Sequence, residues 1–70
     1  MKKLDIYVPA DLDETIEEYV KAVNRGGLID CETSQLMGDI NMAESIQMIT
    51  SETAWKLRKY YLGGIYGSDI

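Results

Sequence analysis

The chain has 70 residues, of which 46% are hydrophobic, and a formal net charge of −5. This length predicts one small domain with a thin core. The sequence contains one cysteine, Cys31, and no histidine. This composition excludes an internal disulfide and the usual Cys/His zinc site. No apolar run reaches the roughly 18 residues of a membrane-spanning helix, and the start of the chain does not resemble a secretory signal. We therefore expect a cytoplasmic protein without membrane contact.

Residues 3–8 alternate strictly between polar and apolar side chains, which is typical of a half-buried strand. The apolar positions are Leu4, Ile6 and Val8. Pro9 would end this strand, because it has no N–H to donate to a ladder. One strand cannot satisfy its own backbone groups. Its partner could be residues 28–33, residues 64–66, or the same strand of a second chain in a homodimer.

An amphipathic helix is predicted over residues 11–24. Asp11, with Glu14 three residues later, has the form of a capping box. Apolar side chains recur at helical spacing within one stripe, and Gly26-Gly27 supplies a stop signal. The stripe consists of Leu12, Ile16, Tyr19, Val20 and Val23.

A second amphipathic helix is predicted over residues 42–62, from the cap Asn41 to a stop at Gly63-Gly64. Its apolar stripe consists of Met42, Ile46, Ile49, Thr53, Leu57 and Tyr60. Thr50-Ser51 could instead divide it into two shorter helices, because both residues favour helix caps over helix interiors.

The middle of the chain is less clear. Residues 28–33 could form a short second strand, and residues 34–40, which include Gly38, could be a loop or a single helical turn. The expected fold class is therefore α+β, mainly helical. One domain would span residues 1–62, followed by a flexible C-terminal tail over residues 63–70.

Charge is distributed unevenly along the chain. Residues 4–55 contain eleven acids and two bases, a net charge of −9, and no base lies between Arg25 and Lys56. The bases at the two ends are Lys2, Lys3, Lys56, Arg58 and Lys59. Such an acidic body is either a solvated surface that keeps the protein soluble or a face for a basic partner. The net charge also makes direct binding to nucleic acid unfavourable.

Nothing in the sequence indicates catalysis. Histidine, the commonest general acid–base, is absent. Cys31 lies between Asp30 and Glu32, which disfavour a thiolate, so we expect it to be a small buried core residue. The glycine pairs match neither phosphate-binding motif. We expect a protein that is not an enzyme and holds no cofactor and no metal.

Residues 3–20, Lys-Leu-Asp-Ile-Tyr-Val-Pro followed by an amphipathic helix, resemble the opening of ribbon-helix-helix DNA-binding proteins. Residues 50–62 resemble that family's second helix. The resemblance implies a dimer whose paired strands enter the major groove, with Lys3, Asp5 and Tyr7 as the residues that read the bases. About 25 residues separate the two helices here, whereas the family joins them by a short turn.

Two surfaces are candidates for binding a protein partner. One is the acidic face of the first helix, formed by Asp13, Glu14, Glu17 and Glu18. The other is a second apolar side of the later helix, where Met48, Trp55 and Leu62 recur every seven residues beside Lys59. Tryptophan and methionine are enriched at interfaces.

The function we expect is therefore a non-catalytic, acidic protein-binding module. It would be an inhibitor or adaptor that occupies a basic, nucleic-acid-binding surface of a partner. In size and charge it is similar to small anti-CRISPR and other anti-defence inhibitors of phages and mobile elements. The alternatives are a dimeric ribbon-helix-helix-like regulator or antitoxin, and a subunit of a larger assembly.

Overall fold

A computed structural model of the protein describes residues 1–66, with side chains through residue 63, and consists of three α-helices. Helix α1 spans Ala10–Arg25, α2 spans Asp30–Ser45 and α3 spans Ser51–Tyr66. The expected α+β class is wrong, because the described part of the chain contains no strand. It is a small all-helical fold.

The N-terminal segment, residues 1–9, does not form the predicted strand and bends at Ile6, whose N–H donates to the Leu4 carbonyl at 3.0 Å. Its alternation is nevertheless present, since Leu4, Ile6 and Val8 pack partly buried against the core. Their polar neighbours stay exposed. Tyrosine side chains of α3 satisfy backbone groups that a neighbouring strand would have paired. The Leu4 N–H donates to the Tyr61 hydroxyl at 2.7 Å. The Tyr60 hydroxyl donates to the Lys2 carbonyl at 2.8 Å.

Helix α1 matches the predicted helix closely. It begins one residue earlier than expected, after Pro9, whose carbonyl accepts the Asp13 N–H at 2.8 Å. Asp11 therefore lies inside the first turn and is not the N-cap. Its carboxylate interacts favourably there with the positive end of the helix dipole. The predicted stripe faces the core. Its buried members are Leu12, Ile16, Tyr19 and Val20, with Val23 partly buried. Gly26, at a φ of 85°, ends the helix as predicted.

Helix α2 occupies the region where a strand and a loop were considered. Acids at Asp30 and Glu32 lie in its first turn, and its buried positions recur at spacings of three and four. These are Thr33, Leu36, Ile40 and Ala43. This helix was not predicted from the sequence, because Gly38 lies at its centre and glycine has a low helix propensity. The short-strand prediction for residues 28–33 is therefore wrong.

The predicted helix over residues 42–62 is divided, as the Thr50-Ser51 alternative proposed. Helix α2 ends in a Schellman turn in which Gln47 has a φ of 63°. There the Met48 N–H donates to the Ala43 carbonyl at 2.8 Å. Thr50 then caps α3, since its hydroxyl accepts the Thr53 N–H at 3.1 Å.

Helix α3 passes the stop predicted at Gly63 and continues to Tyr66. The remainder of the predicted tail, residues 67–70, lies outside the described residues. The buried side chains of α3 are Ala54, Leu57, Tyr61 and Leu62. They complete one core with the buried faces of α1 and α2.

Two polar contacts hold the helices in place. The Tyr19 hydroxyl of α1 donates to the Tyr61 carbonyl of α3 at 2.8 Å, and the two rings meet edge to face. The Arg58 guanidinium of α3 lies 2.6 Å from Glu44 of α2. This hydrogen bond, with a second from Ser51, lowers the pKa of the Glu44 carboxyl.

Candidate functional site

The four carboxylates predicted as one binding face of α1 divide into two groups. Asp13 and Glu17 lie 2.7 Å and 3.2 Å from the Lys3 ammonium. The hydrogen bonds that Lys3 donates to Asp13, and then to Glu17, raise the pKa of the lysine. This pair therefore contributes to binding the N-terminal segment to α1, and Lys3 neutralises part of its charge.

Glu14 and Glu18 instead line a groove between α1 and α2. Thr15 and Tyr19 complete the α1 side, and Cys31, Glu32 and Gln35 form the α2 side. We call this the acidic groove. Within residues 1–63, no base contributes to its lining. Glu18 and Glu32 form long ion pairs of 3.8 Å with Lys21 and Arg25 respectively, bases that lie outside the lining. Three carboxylates from two helices thus concentrate negative charge along one line of contact between α1 and α2.

Cys31 is exposed in this groove, contrary to the expectation that it is a core residue. The acids beside it in the sequence lie in the first turn of α2. As a lone thiol it supplies no disulfide and, on its own, no site. It does place a unique chemical handle where the groove can be probed.

A second groove lies further along the same pair of helices. The Thr15 hydroxyl, from the acidic groove, donates to the Asp39 carboxylate, and Asp39 lines this second groove. We call it the apolar groove. Its lining consists of Pro9, Asp11, Leu12, Asp39, Met42, Ala43, Ile46 and Met48. Its volume of about 240 Å³ is below the roughly 300–1,000 Å³ of small-molecule sites. That size suits a side chain of a partner protein better than a free ligand.

Met42 and Ile46 were expected in the core, and both are exposed in the apolar groove, at 61% and 60% of their surface. The physical reason is the break after Ser45. The predicted stripe assumed one continuous helix, and the turn at Gln47 changes which residues of the two halves share a face. Reading residues 30–45 as a helix would have placed Gln35, Asp39 and Met42 on one exposed face at spacings of four and three.

Only some of the residues predicted to form the apolar surface of the later helix are exposed. Met48 and Trp55 are 54% and 56% exposed, and the Lys59 ammonium lies 4.9 Å from the centre of the Trp55 ring. Leu62, in contrast, is fully buried and belongs to the core. Trp55 is thus a surface residue with a cation over its ring, and Met48 faces the apolar groove.

The residues proposed to read DNA do not form a ribbon. Lys3 is held by α1, whereas Asp5 and Tyr7 are exposed on the N-terminal segment. In the ribbon-helix-helix family these positions belong to a strand that pairs with a second chain. Here they belong to an irregular segment bound to α3 of the same chain.

Among residues 1–66, no cluster of three metal-ligating side chains is present. No helix in that range is long and apolar enough to cross a membrane. Comparisons with protein-family models, with curated proteins and with solved structures found no match for this chain. Its function is therefore argued from the two grooves.

Proposed function

We propose that the protein is a non-catalytic binding module that uses its acidic surface to occupy a basic surface of a partner protein, as an inhibitor or an adaptor. The observation that carries the proposal is the acidic groove, where Glu14, Glu18 and Glu32 converge from two helices. Helix α2 contains no lysine or arginine. A partner that covers this groove with cations meets no opposing base in its lining.

Electrostatics define what the partner must be. Potentials of opposite sign accelerate association and disfavour partners of the wrong charge. A basic surface that attracts this protein, whose net charge is −5, is of the kind that also attracts the phosphates of nucleic acid. Covering such a surface would inhibit the partner by competition.

The test begins with affinity capture by the full chain from its native cell and identification of the retained protein. The interaction is then reconstituted from purified components. The double substitution Glu14→Lys/Glu18→Lys should slow association about tenfold or more at low salt without loss of helix content. Glu14→Lys alone and Glu52→Lys form the matched pair, because each changes the net charge by the same amount and Glu52 is an exposed acid of α3 that pairs with Lys56 at 3.4 Å.

Two results would contradict the proposal. One is association that is insensitive to both the double substitution and salt, since the acidic groove would then contribute only solubility. The other is a purified dimer that retards short duplex DNA in a salt-dependent way and is weakened by Lys3→Ala. That outcome would favour the ribbon-helix-helix-like alternative.

A further inference from the structure

Resting on the proposed function, we infer that the apolar groove and the adjoining acidic groove together bind one basic, amphipathic helix of the partner. The apolar residues of that helix would enter the apolar groove. Its lysines or arginines would lie along the acidic groove. The bound helix would lie on α1 and α2, away from Trp55.

The apolar groove supplies the contact area. Met42, Ile46 and Met48 each expose more than half of their surface, at 61%, 60% and 54%. All three line the same depression, above the buried side chains of Leu12 and Ala43. Flexible thioethers adapt to side chains of different shape, which suits a surface that receives apolar residues from a partner.

The charged residues around this groove determine which sign of charge the occupant must carry. Asp11 and Asp39 belong to its lining. Beyond the Thr15–Asp39 hydrogen bond, the next carboxylates along the helices are those of the acidic groove. In the described part of the chain, neither lining includes a base. Asp39 accepts hydrogen bonds from Thr15 and Gln35, and Glu18 and Glu32 form only ion pairs of 3.8 Å. A cationic occupant would therefore add favourable partners, whereas an acidic one would be repelled.

The extent of the surface matches a helix. From Cys31 to Ile46, α2 covers about 22 Å at 1.5 Å per residue, the length of about 15 helical residues. Gly38 lies three residues after Gln35 and four before Met42, so it shares their side of α2. A Cβ built on Gly38 meets nothing within 4 Å. Gly38 lines neither groove, but it leaves the outer surface of α2 without a side chain between Gln35 and Met42, which permits the close approach of a docked helix.

A second copy of the chain is a poor occupant. Each copy carries a net charge of −5. An isologous dimer would bring the acids that border the apolar groove together across the interface. The apolar contact area would then be offset by repulsion between like charges at close range.

The inference is tested with a synthetic helical peptide of about 15 residues, rich in lysine and with leucines on one face near one end. A scrambled peptide of the same composition, without an apolar face, is the control. We expect the amphipathic peptide to bind the full chain at least about tenfold more tightly than the scrambled one. Perturbed NMR signals should include the methyl groups of Met42, Ile46 and Met48.

Substitutions locate the peptide. Met42→Ser/Ile46→Ser should weaken its binding by about tenfold or more. Trp55→Ser is the matched control, because Trp55 is comparably exposed, at 56%, and lies on α3. It should leave binding unchanged. Circular dichroism and thermal melting establish that each variant remains folded.

Each other outcome overturns the inference. Equal binding of the two peptides would show attraction between opposite charges without an apolar site. A larger effect of Trp55→Ser would place the contact on α3, and affinity weaker than about 1 mM would show that no helix site exists. Dimerisation abolished by Met42→Ser/Ile46→Ser would identify a second copy as the occupant. If any of these occurs while the captured partner still depends on Glu14 and Glu18, the helix inference fails and the proposed function stands.

Discussion

Asp13 and Glu17 lie on one side of α1 in contact with Lys3, whereas Glu14 and Glu18, each one residue away, face a groove whose lining contains no base. The first pair acts within the molecule, where it contributes to binding the N-terminal segment. The second pair presents its charge outward. Acidic side chains on the same two turns of one helix therefore have different surroundings.

The difference shows why net charge is a poor guide to a binding surface. Five acids in residues 11–18 form a single acidic block in the sequence. In the fold, only those on the α2 side of α1 join the carboxylate of Glu32. What distinguishes the two sides is the path of the N-terminal segment, which carries Lys3 to the other side of α1.

The largest effect is expected where the N-terminal segment meets α3. Tyr61→Ala removes a ring that is 96% buried, as well as the acceptor of the Leu4 N–H. It should lower the free energy of unfolding by about 3–5 kcal/mol, close to the whole stability of a domain of this size. Tyr61→Phe keeps the ring and should cost about 1–2 kcal/mol. Chemical denaturation measures both.

The burial of the Tyr61 hydroxyl gives the fold a pH dependence. Burial raises the pKa of the Tyr61 hydroxyl above the ordinary value, since it disfavours the phenolate. The neutral form is favoured by the folded state, so this contribution to stability is complete below the ordinary tyrosine pKa. It is lost as pH rises through the folded value. The melting temperature of Tyr61→Phe should therefore fall less steeply above about pH 10 than that of wild type.

The second prediction separates the two sides of α1 directly. Glu14→Gln/Glu18→Gln should slow association with the captured partner by about tenfold at low salt, because steering charge is lost, while the melting temperature changes little. Asp13→Asn/Glu17→Gln should do the opposite. It should speed amide exchange at Leu4, whose segment loses its ion pairs, and leave association nearly unchanged.

Equal effects of the two double variants on association would contradict the division. The acids of α1 would then act as one diffuse field, as the sequence alone suggested. Asp→Asn and Glu→Gln are isosteric substitutions that keep the shape of each side chain. A difference in association rate between the two variants therefore reports the loss of charge.

The parts of the fold that sequence reasoning found are those with strong local signals. The apolar stripe of α1 and its glycine stop predicted the helix to within one residue at either end. The alternation of residues 3–8 predicted which side chains face inward, but alternation describes burial and does not supply a neighbouring strand. Tyr60 and Tyr61 took that role through their hydroxyls, a contact across almost the whole chain that no local pattern encodes.

The candidate site was predictable only in part. Glu14 and Glu18 were correctly placed on an exposed side of α1. Glu32, across the groove, was considered part of a possible short strand over residues 28–33, and the exposed Met42 and Ile46 were placed in the apolar stripe of the predicted later helix. The first error follows from Gly38, which weakens the helical pattern of residues 30–45, and the second follows from the unrecognised end of α2. Its end depends on Gln47 adopting a positive φ, a conformation usually reserved for glycine.

The third prediction concerns that turn, whose neighbouring residues Ile46 and Met48 line the apolar groove. Gln47→Gly should raise the free energy of unfolding by about 1 kcal/mol, because glycine adopts positive φ without the steric cost that a Cβ imposes. Gln47→Pro should unfold the turn, since proline fixes φ near −65°. Thermal melting of the two variants would show whether the Schellman turn exists. A destabilising Gln47→Gly would contradict it.

The smallest expected change lies at Gly38, in the middle of α2, and has a matched control at Gly63 in α3. A Cβ built at either position meets nothing within 4 Å. Replacing each glycine by glutamine, a better helix former, should therefore stabilise both helices by about 0.5 kcal/mol. The two variants should differ in binding, because a side chain at Gly38 would project into the path of a helix docked between Gln35 and Met42. Gly38→Gln should weaken binding of the amphipathic peptide by about tenfold, and Gly63→Gln should leave it unchanged. A Gly38→Gln variant that is both more stable and equally able to bind would show that the low middle of α2 serves no partner. In that case the outward-facing side of α1 and α2 would accept only charge, and the distinction from the side bound by Lys3 would be electrostatic alone.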